Sequence, residues 1–144
     1  MTIRLHDLVP SLQIAIGPVI LVSGVGLLLL SMTNRLGRVI DRSRALSREL
    51  RSGTVERGRV ISQLDILATR ARLVRQAITL AIVSALSAAI LVITLFVAAV
   101  FALEVGILVV ALFVGCMAAL IGALVAFLRD INLSLAALKL ELGP

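Results

Sequence analysis

Three apolar stretches that contain no charged side chain alternate with polar stretches along the chain. They cover residues 8–32, 77–103 and 105–128. Each is longer than the roughly 20 residues that an α-helix needs to cross about 30 Å of hydrocarbon. The pattern therefore predicts an all-α integral membrane protein with three transmembrane helices.

The polar stretches predict the remaining layout. Residues 1–7 form an N-terminal lead, residue 104 a tight turn, and residues 129–144 a C-terminal helix. Residues 33–76 have helical apolar periodicity on both sides of a turn near 52–54, where Gly53 would end one helix and Thr54 would cap the next. We therefore expect a long helical hairpin between the first and second transmembrane helices.

Each arm of the predicted hairpin has one apolar edge. The residues on these edges are Leu36, Val39, Leu46 and Leu50 on the first arm and Val60, Leu64, Leu67, Ala71 and Val74 on the second. Apolar residues three and four positions apart lie on one side of a helix and pack against a partner helix. We expect the two edges to face each other and the arginines to face outward.

Charge is concentrated in the hairpin. Eleven of the fourteen basic residues are arginines between Arg35 and Arg75, offset by four acidic residues, which gives this segment a net charge of +7. By the positive-inside rule the hairpin and the C-terminus are cytoplasmic and the N-terminus is outside. The mean hydropathy of +1.15 also excludes an ordinary soluble domain.

A second pattern lies on the first transmembrane helix. Small or polar residues recur there at seven-residue spacing, at Gly17, Gly24 and Ser31, and the series continues to Arg38. Small residues let helices approach closely in lipid, and a small, polar face that ends in arginine also suits the lining of a pore. Both interpretations remain open, and a pore would require a homo-oligomer because three spans cannot enclose a channel.

The leading hypothesis from the sequence is a homo-oligomeric pore with an arginine-rich cytoplasmic mouth. Its candidate lining residues are Gln13, Gly17, Gly24, Ser31, Asn34, Arg35, Arg38 and Arg42. Glu104 is a candidate for the outer mouth, although a solvated turn residue is the simpler interpretation. Arginines at the mouth would favour anions.

The alternative hypothesis is a membrane-anchored scaffold or an accessory subunit of a larger complex. Its basic hairpin would bind a cytoplasmic protein partner or anionic lipid headgroups, which attract basic residues near the membrane surface. The residues of this face are Arg44, Arg48, Arg51, Arg70, Arg72 and Arg75. Nucleic acid fits less well, because the arginines have no interleaved aromatic residues. The simplest interpretation is a topology signal on a solvated helix face.

Residue types that carry catalysis are scarce. The one cysteine, Cys116, lies within the third apolar stretch, and the one histidine, His6, lies near the N-terminus. There is no glycine-rich phosphate loop and no spacing typical of metal ligands. We expect neither enzymatic activity nor a cofactor or bound metal.

Three segments carry a family resemblance. They are Thr33-Asn34-Arg35-Leu36-Gly37-Arg38-Val39-Ile40-Asp41-Arg42-Ser43-Arg44, Arg70-Ala71-Arg72-Leu73-Val74-Arg75-Gln76-Ala77-Ile78 and Phe127-Leu128-Arg129-Asp130. The chain resembles a family of small bacterial membrane proteins known only as a domain of unknown function. The resemblance covers nearly the whole chain and implies three membrane helices in a bacterial inner membrane. It implies no activity.

Overall fold

The computed structural model describes residues 5–53 and 56–142 and consists of three helices in this part of the chain. They are α1 (Leu5–Ser52), α2 (Arg57–Phe101) and α3 (Gly106–Leu142). Each contains a segment long and apolar enough to cross a membrane. The structure therefore confirms the all-α prediction with three membrane-capable helices. The cytoplasmic position of the hairpin stays a prediction.

The helix ends follow local backbone chemistry. Gly53 has a φ of 71°, the left-handed conformation in which glycine commonly terminates helices, and it directly follows Ser52, the last residue of α1. The carbonyl oxygen of Glu56 accepts the first hydrogen bonds of α2, from the backbone N–H groups of Arg59 (3.2 Å) and Val60 (3.3 Å). Thr54, the predicted cap, lies outside the described residues.

The connection between α2 and α3 runs from Ala102 to Val105. Ala102 has a φ of 50°, and the N–H of Leu103 donates to the carbonyl of Ala98 at 3.1 Å, which closes the end of α2. The carbonyl of Val105 then accepts from Val109 at 3.0 Å and starts α3. Glu104 lies in this turn with its side chain exposed.

Buried residues recur at seven-residue spacing on all three helices. They are Val25, Met32, Val39 and Leu46 on α1; Val60, Leu67, Val74, Ala81 and Ala88 on α2; and Cys116, Ala123 and Asp130 on α3. A seven-residue repeat of buried positions is the packing pattern of coiled coils. We call these positions the buried seam of each helix.

The chain divides into two compact units. The first, here the apolar unit, contains the residues up to Leu29 together with Leu80–Ile121; the second, here the charged unit, contains Leu30–Thr79 and the residues from Gly122 onward. In the apolar unit, hydrogen bonds between Ser84 and Cys116 join α2 to α3. The Ser84 hydroxyl donates to the Cys116 carbonyl at 2.9 Å, and the Cys116 thiol donates to the Ser84 carbonyl at 3.2 Å.

The charged unit has a core between its α1 and α2 segments. Val39 and Leu46 pack with Val60 and Leu67, and Leu50, Leu64 and Ala71 lie against this cluster. These are residues of the two apolar edges predicted to face each other. The α3 segment of the unit runs without a break through Arg129, so the predicted C-terminal helix is the last part of α3.

Candidate functional site

One carboxylate joins the three helices within the charged unit. Asp130 of α3 has no exposed surface, and its Oδ2 accepts a hydrogen bond from Nη1 of Arg35 on α1 at 2.9 Å. Its Oδ1 accepts from Nε of Arg70 on α2 at 3.2 Å. Both carboxylate oxygens are therefore paired with guanidinium groups, which is the condition for burying a charge.

Arg35 makes a further contact with α3. Its guanidinium carbon lies 5.3 Å from the centre of the Phe127 ring, within the range of a cation–π interaction. Phe127 precedes Asp130 by three residues, so both project from one side of α3. The two contacts fix the Arg35 guanidinium between an aromatic face and a carboxylate.

The seven-residue repeat explains why this aspartate is buried. Cys116 and Ala123 occupy the buried seam of α3, and the next position of the repeat is Asp130. An unpaired carboxylate there would lower the free energy of unfolding, because burial removes its hydration. The arginines of α1 and α2 supply the compensating charge, so the packing of the unit and its ion pairs depend on each other.

A cavity of about 360 Å³ lies between the α1 and α2 segments of the charged unit. Four arginines line it, and we call it the arginine pocket; its lining is Arg35, Arg38, Val39, Arg42, Leu67 and Arg70. Arg35 and Arg70 are held by Asp130, whereas Arg38 and Arg42 are exposed and form no ion pair with a described residue. None of the described lining residues is acidic, so the lining carries a net positive charge.

A second cavity of about 460 Å³ adjoins the first, and we call it the side groove. It shares Arg42, Leu67 and Arg70 with the arginine pocket. Its other basic residue is Arg59. The remaining lining residues are Ser62, Gln63 and Ser134, which are polar, and Leu46, Ile66, Ala137 and Leu138, which are apolar. No acidic residue among those described lines the groove.

The structure leaves the predicted pore stripe exposed. Gln13, Gly17, Gly24, Ser31, Asn34, Arg38 and Arg42 all lie on the accessible surface of α1. Gly24, Ser31 and Arg38 each precede a buried seam residue by one position, which places them about 100° round the helix from the seam. A Cβ atom built on Gly17 or Gly24 meets nothing within 4 Å, so packing within the chain does not require these glycines.

Residues from the two candidate sites lie together in the structure. Arg35, predicted for the pore mouth, and Arg70, predicted for the lipid or partner face, bind the same carboxylate and line the same pocket. Other members of the lipid or partner face stay exposed, outside both cavities. They are Arg44, Arg48, Arg51, Arg72 and Arg75.

Asp130 is the site residue that sequence reasoning missed. It follows Arg129 at the end of an apolar stretch, where a pair of opposite charges is typical of a solvated boundary. The signal that could have revealed it is its seven-residue spacing from Ala123 and Cys116. Within the described residues no group of three or more histidine, cysteine or acidic side chains is placed to hold a metal ion.

Comparison with known proteins adds a family assignment. The model of one family, described as "Protein of unknown function (DUF2721)", matches residues 15–140, which is most of the chain. No curated protein and no solved structure matches the chain.

Proposed function

The chain belongs to this family of unknown function, and we propose that it is a membrane-anchored protein whose charged unit binds anionic phospholipid headgroups. The observation that carries the proposal is the arginine pocket. Four guanidinium groups line it, only two of them are paired with a carboxylate, and no acidic side chain among the described residues lines it.

Guanidinium groups are suited to phosphate. Their planar array of donors forms charge-assisted, often bidentate hydrogen bonds with phosphate oxygens. Arg38 and Arg42 are one turn apart on α1, and both are open to a ligand. Asp130 fixes Arg35 and Arg70 beside them, so part of the positive charge is already ordered before a ligand arrives.

Position along the helix supports a lipid as the source of the phosphate. Arg35 and Arg38 follow Met32, the last residue of the first apolar stretch, by three and six residues. At 1.5 Å per residue these are about 5 and 9 Å, comparable with a headgroup layer of about 5–8 Å, and arginine side chains can reach back toward the membrane. The pocket would therefore open at headgroup level.

The test measures the lipid affinity of the full-length protein. The protein in mild detergent is titrated with phosphatidylglycerol, and phosphatidylcholine serves as the neutral reference. Replacing Arg38 and Arg42 together by glutamine removes two unpaired basic groups of the pocket. At about 1 kcal/mol per basic residue, the affinity for phosphatidylglycerol falls roughly 20- to 30-fold. Native mass spectrometry measures the bound fraction.

The matched control is the double replacement of Arg48 and Arg51 by glutamine. It removes the same charge from the same helix, but neither residue lines the pocket. We expect this variant to stay within about twofold of the wild type, because distant surface charges are screened by salt. Equal losses in both double variants would mean that net charge alone binds the lipid, and the proposal would fail.

A homo-oligomeric pore is the second candidate function, and the exposed stripe on α1 favours it. Glycine within a helix costs about 1 kcal/mol relative to alanine, and Gly17 and Gly24 have no internal packing reason to be present. Close approach of a helix from a second copy would use them. In that assembly the stripe either joins subunits or lines a pore with Arg38 at its mouth.

Conductance measurements distinguish the pore hypothesis from the lipid-binding proposal. A pore reconstituted in liposomes passes ions, and the substitution Arg38→Glu changes its ion selectivity. A membrane that stays tight at all voltages removes the pore hypothesis. An accessory subunit would instead cross-link to other proteins in native membranes. Truncation of the hairpin near Gly53 would abolish binding of a docking partner, whereas it would leave the conductance of a pore intact.

A further inference from the structure

Asp130 uses only part of the hydrogen-bonding capacity of its two arginines. A guanidinium group has three nitrogen atoms, which carry five N–H donors in one plane. Arg35 donates to Asp130 from Nη1 alone, and Arg70 donates to it from Nε alone. No other described residue accepts a hydrogen bond from either guanidinium group. Among the described residues, two nitrogen atoms of each arginine therefore have no acceptor.

The two remaining nitrogen atoms of each arginine are neighbours on one edge of the guanidinium plane. On Arg35 they are Nε and Nη2, and on Arg70 they are Nη1 and Nη2. Two N–H groups that point the same way from one edge can bind two oxygens of a single carboxylate or phosphate. The ion pair with Asp130 thus leaves each arginine one complete edge for a second anion.

Both arginines are accessible to a ligand. Arg35 and Arg70 line the arginine pocket from two different helices, α1 and α2. Their side chains are partly exposed, whereas Asp130 is completely buried. The accessible part of each side chain is therefore directed away from the carboxylate.

We infer that Arg35 and Arg70 bind the headgroup phosphate directly through these edges, and that Asp130 is the positioning residue for both. The inference rests on the proposed function and assigns it two further ligand-binding residues. A phosphodiester group has two non-bridging oxygens, so one edge of a guanidinium group can hold both of them. The phosphate then bridges α1 and α2 in the pocket, as Asp130 bridges them from α3.

Phe127 is a second positioning residue for Arg35. The chain has four phenylalanines and neither tryptophan nor tyrosine, and Phe127 is the phenylalanine that lies in the charged unit. Its ring centre is 5.3 Å from the guanidinium carbon of Arg35. A guanidinium group that is held in place before the ligand arrives loses less conformational entropy on binding. The ring therefore contributes to affinity although it does not line the pocket.

Replacement of arginine by lysine tests the inference. Lysine keeps the charge and can still pair with Asp130, but it has no planar edge with two donors. The full-length protein in mild detergent is titrated with phosphatidylglycerol, and its melting temperature is measured in the same buffer. We expect Arg35→Lys and Arg70→Lys each to weaken the affinity about tenfold, the loss of one charge-assisted hydrogen bond. Arg44→Lys changes an exposed arginine that lines neither cavity and stays within about twofold of the wild type.

Two substitutions of Phe127 test its positioning role. Phe127→Leu keeps an apolar side chain but removes the ring, and we expect the affinity for phosphatidylglycerol to fall about threefold. Phe127→Tyr keeps the ring and binds like the wild type. Phe113→Leu, at an exposed position of the apolar unit, is the matched control and leaves the affinity unchanged.

The outcomes separate the two proposals. If Arg35→Lys and Arg70→Lys bind phosphatidylglycerol as tightly as the wild type, charge alone is sufficient, and the inference is wrong while the headgroup proposal stands. Losses of affinity that follow the melting temperature in every variant would make both arginines structural partners of Asp130 and would also overturn the inference. If the double replacement of Arg38 and Arg42 leaves phosphatidylglycerol binding intact, the headgroup proposal itself fails. Displacement of the lipid by an equal concentration of inorganic phosphate would make the pocket a site for free phosphate and overturn both.

Discussion

A carboxylate without exposed surface is tolerated only where its charge is compensated. Asp130 is compensated by Arg35 and Arg70, whose side chains keep 29% and 21% of their surface exposed. The negative charge is therefore fully desolvated, while each positive charge keeps contact with solvent. The buried charge of the aspartate therefore needs the arginines as partners. The arginines can keep their charge without the aspartate, because water still reaches them.

Removal of the carboxylate tests this dependence. We expect Asp130→Ala to destabilise the protein by about 3 kcal/mol, the lower part of the range for a broken buried pair, because the freed guanidinium groups can turn to water. Loss of circular dichroism on heating in detergent measures the effect, since the chain has neither tryptophan nor tyrosine for fluorescence.

The neighbouring exposed arginine provides the control for this measurement. Arg129→Ala changes a side chain one position away and leaves the ion pairs intact, so we expect a change within about 0.5 kcal/mol. Equal melting temperatures for Asp130→Ala and Arg129→Ala would show that the buried ion pairs do not stabilise the fold. A double replacement of Arg35 and Asp130 by alanine measures the coupling directly.

The packing of the hairpin is the feature that the sequence indicates most clearly. Gly53 marks the end of α1 because the backbone there needs a positive φ, and the apolar edges through Val39 and Val60 stand out against charged neighbours. Within the apolar stretches, the sequence does not show which side of each helix packs against the rest of the protein. Lipid and protein interior are equally apolar, so hydropathy does not distinguish the exposed Leu27 from the buried Val25.

The end of α2 offers a test at the level of a helix terminus. Ala102 has a φ of 50° after the last helical residue, a conformation that costs a residue with a Cβ atom roughly 1 kcal/mol. We expect Ala102→Gly to raise the free energy of unfolding by about 0.5–1 kcal/mol, since glycine adopts this conformation without strain. Thermal unfolding monitored by circular dichroism checks it.

A second alanine near the same turn gives the opposite result. Ala98→Gly lies within α2, where glycine increases the entropy lost on folding, and we expect it to destabilise by about 1 kcal/mol. If both substitutions lowered the melting temperature alike, the left-handed end of α2 would not be the conformation in solution.

At the scale of the whole molecule, most charged residues lie in the charged unit. In the apolar unit, side chains such as Leu27 (73% exposed) and Ile107 (91% exposed) present hydrocarbon outward, as lipid contact requires. The charged unit has both ion pairs of the described residues and both basic cavities. This division suits a protein that is anchored by one unit and binds anions with the other.

The site itself could be predicted only in part. The spacing of Arg38 and Arg42 predicts them at the mouth of a pore, but their surroundings depend on which helix lies next to α1. The neighbouring segment is the part of α2 that contains Leu67 and Arg70. The periodicity of a sequence does not show which residues distant in sequence come into contact. The sequence therefore predicted where the charge lies and missed the pocket.

Photo-cross-linking can locate the bound lipid on the protein. Full-length protein in liposomes is cross-linked with phosphatidylglycerol that has a photoactivatable headgroup, and the adducts are mapped by peptide mass spectrometry. If the arginine pocket binds the headgroup, the adducts are concentrated at residues 38–42 of α1 and 67–70 of α2. Adducts spread evenly over the exposed arginines from Arg44 to Arg51, or absent from the pocket, would contradict it.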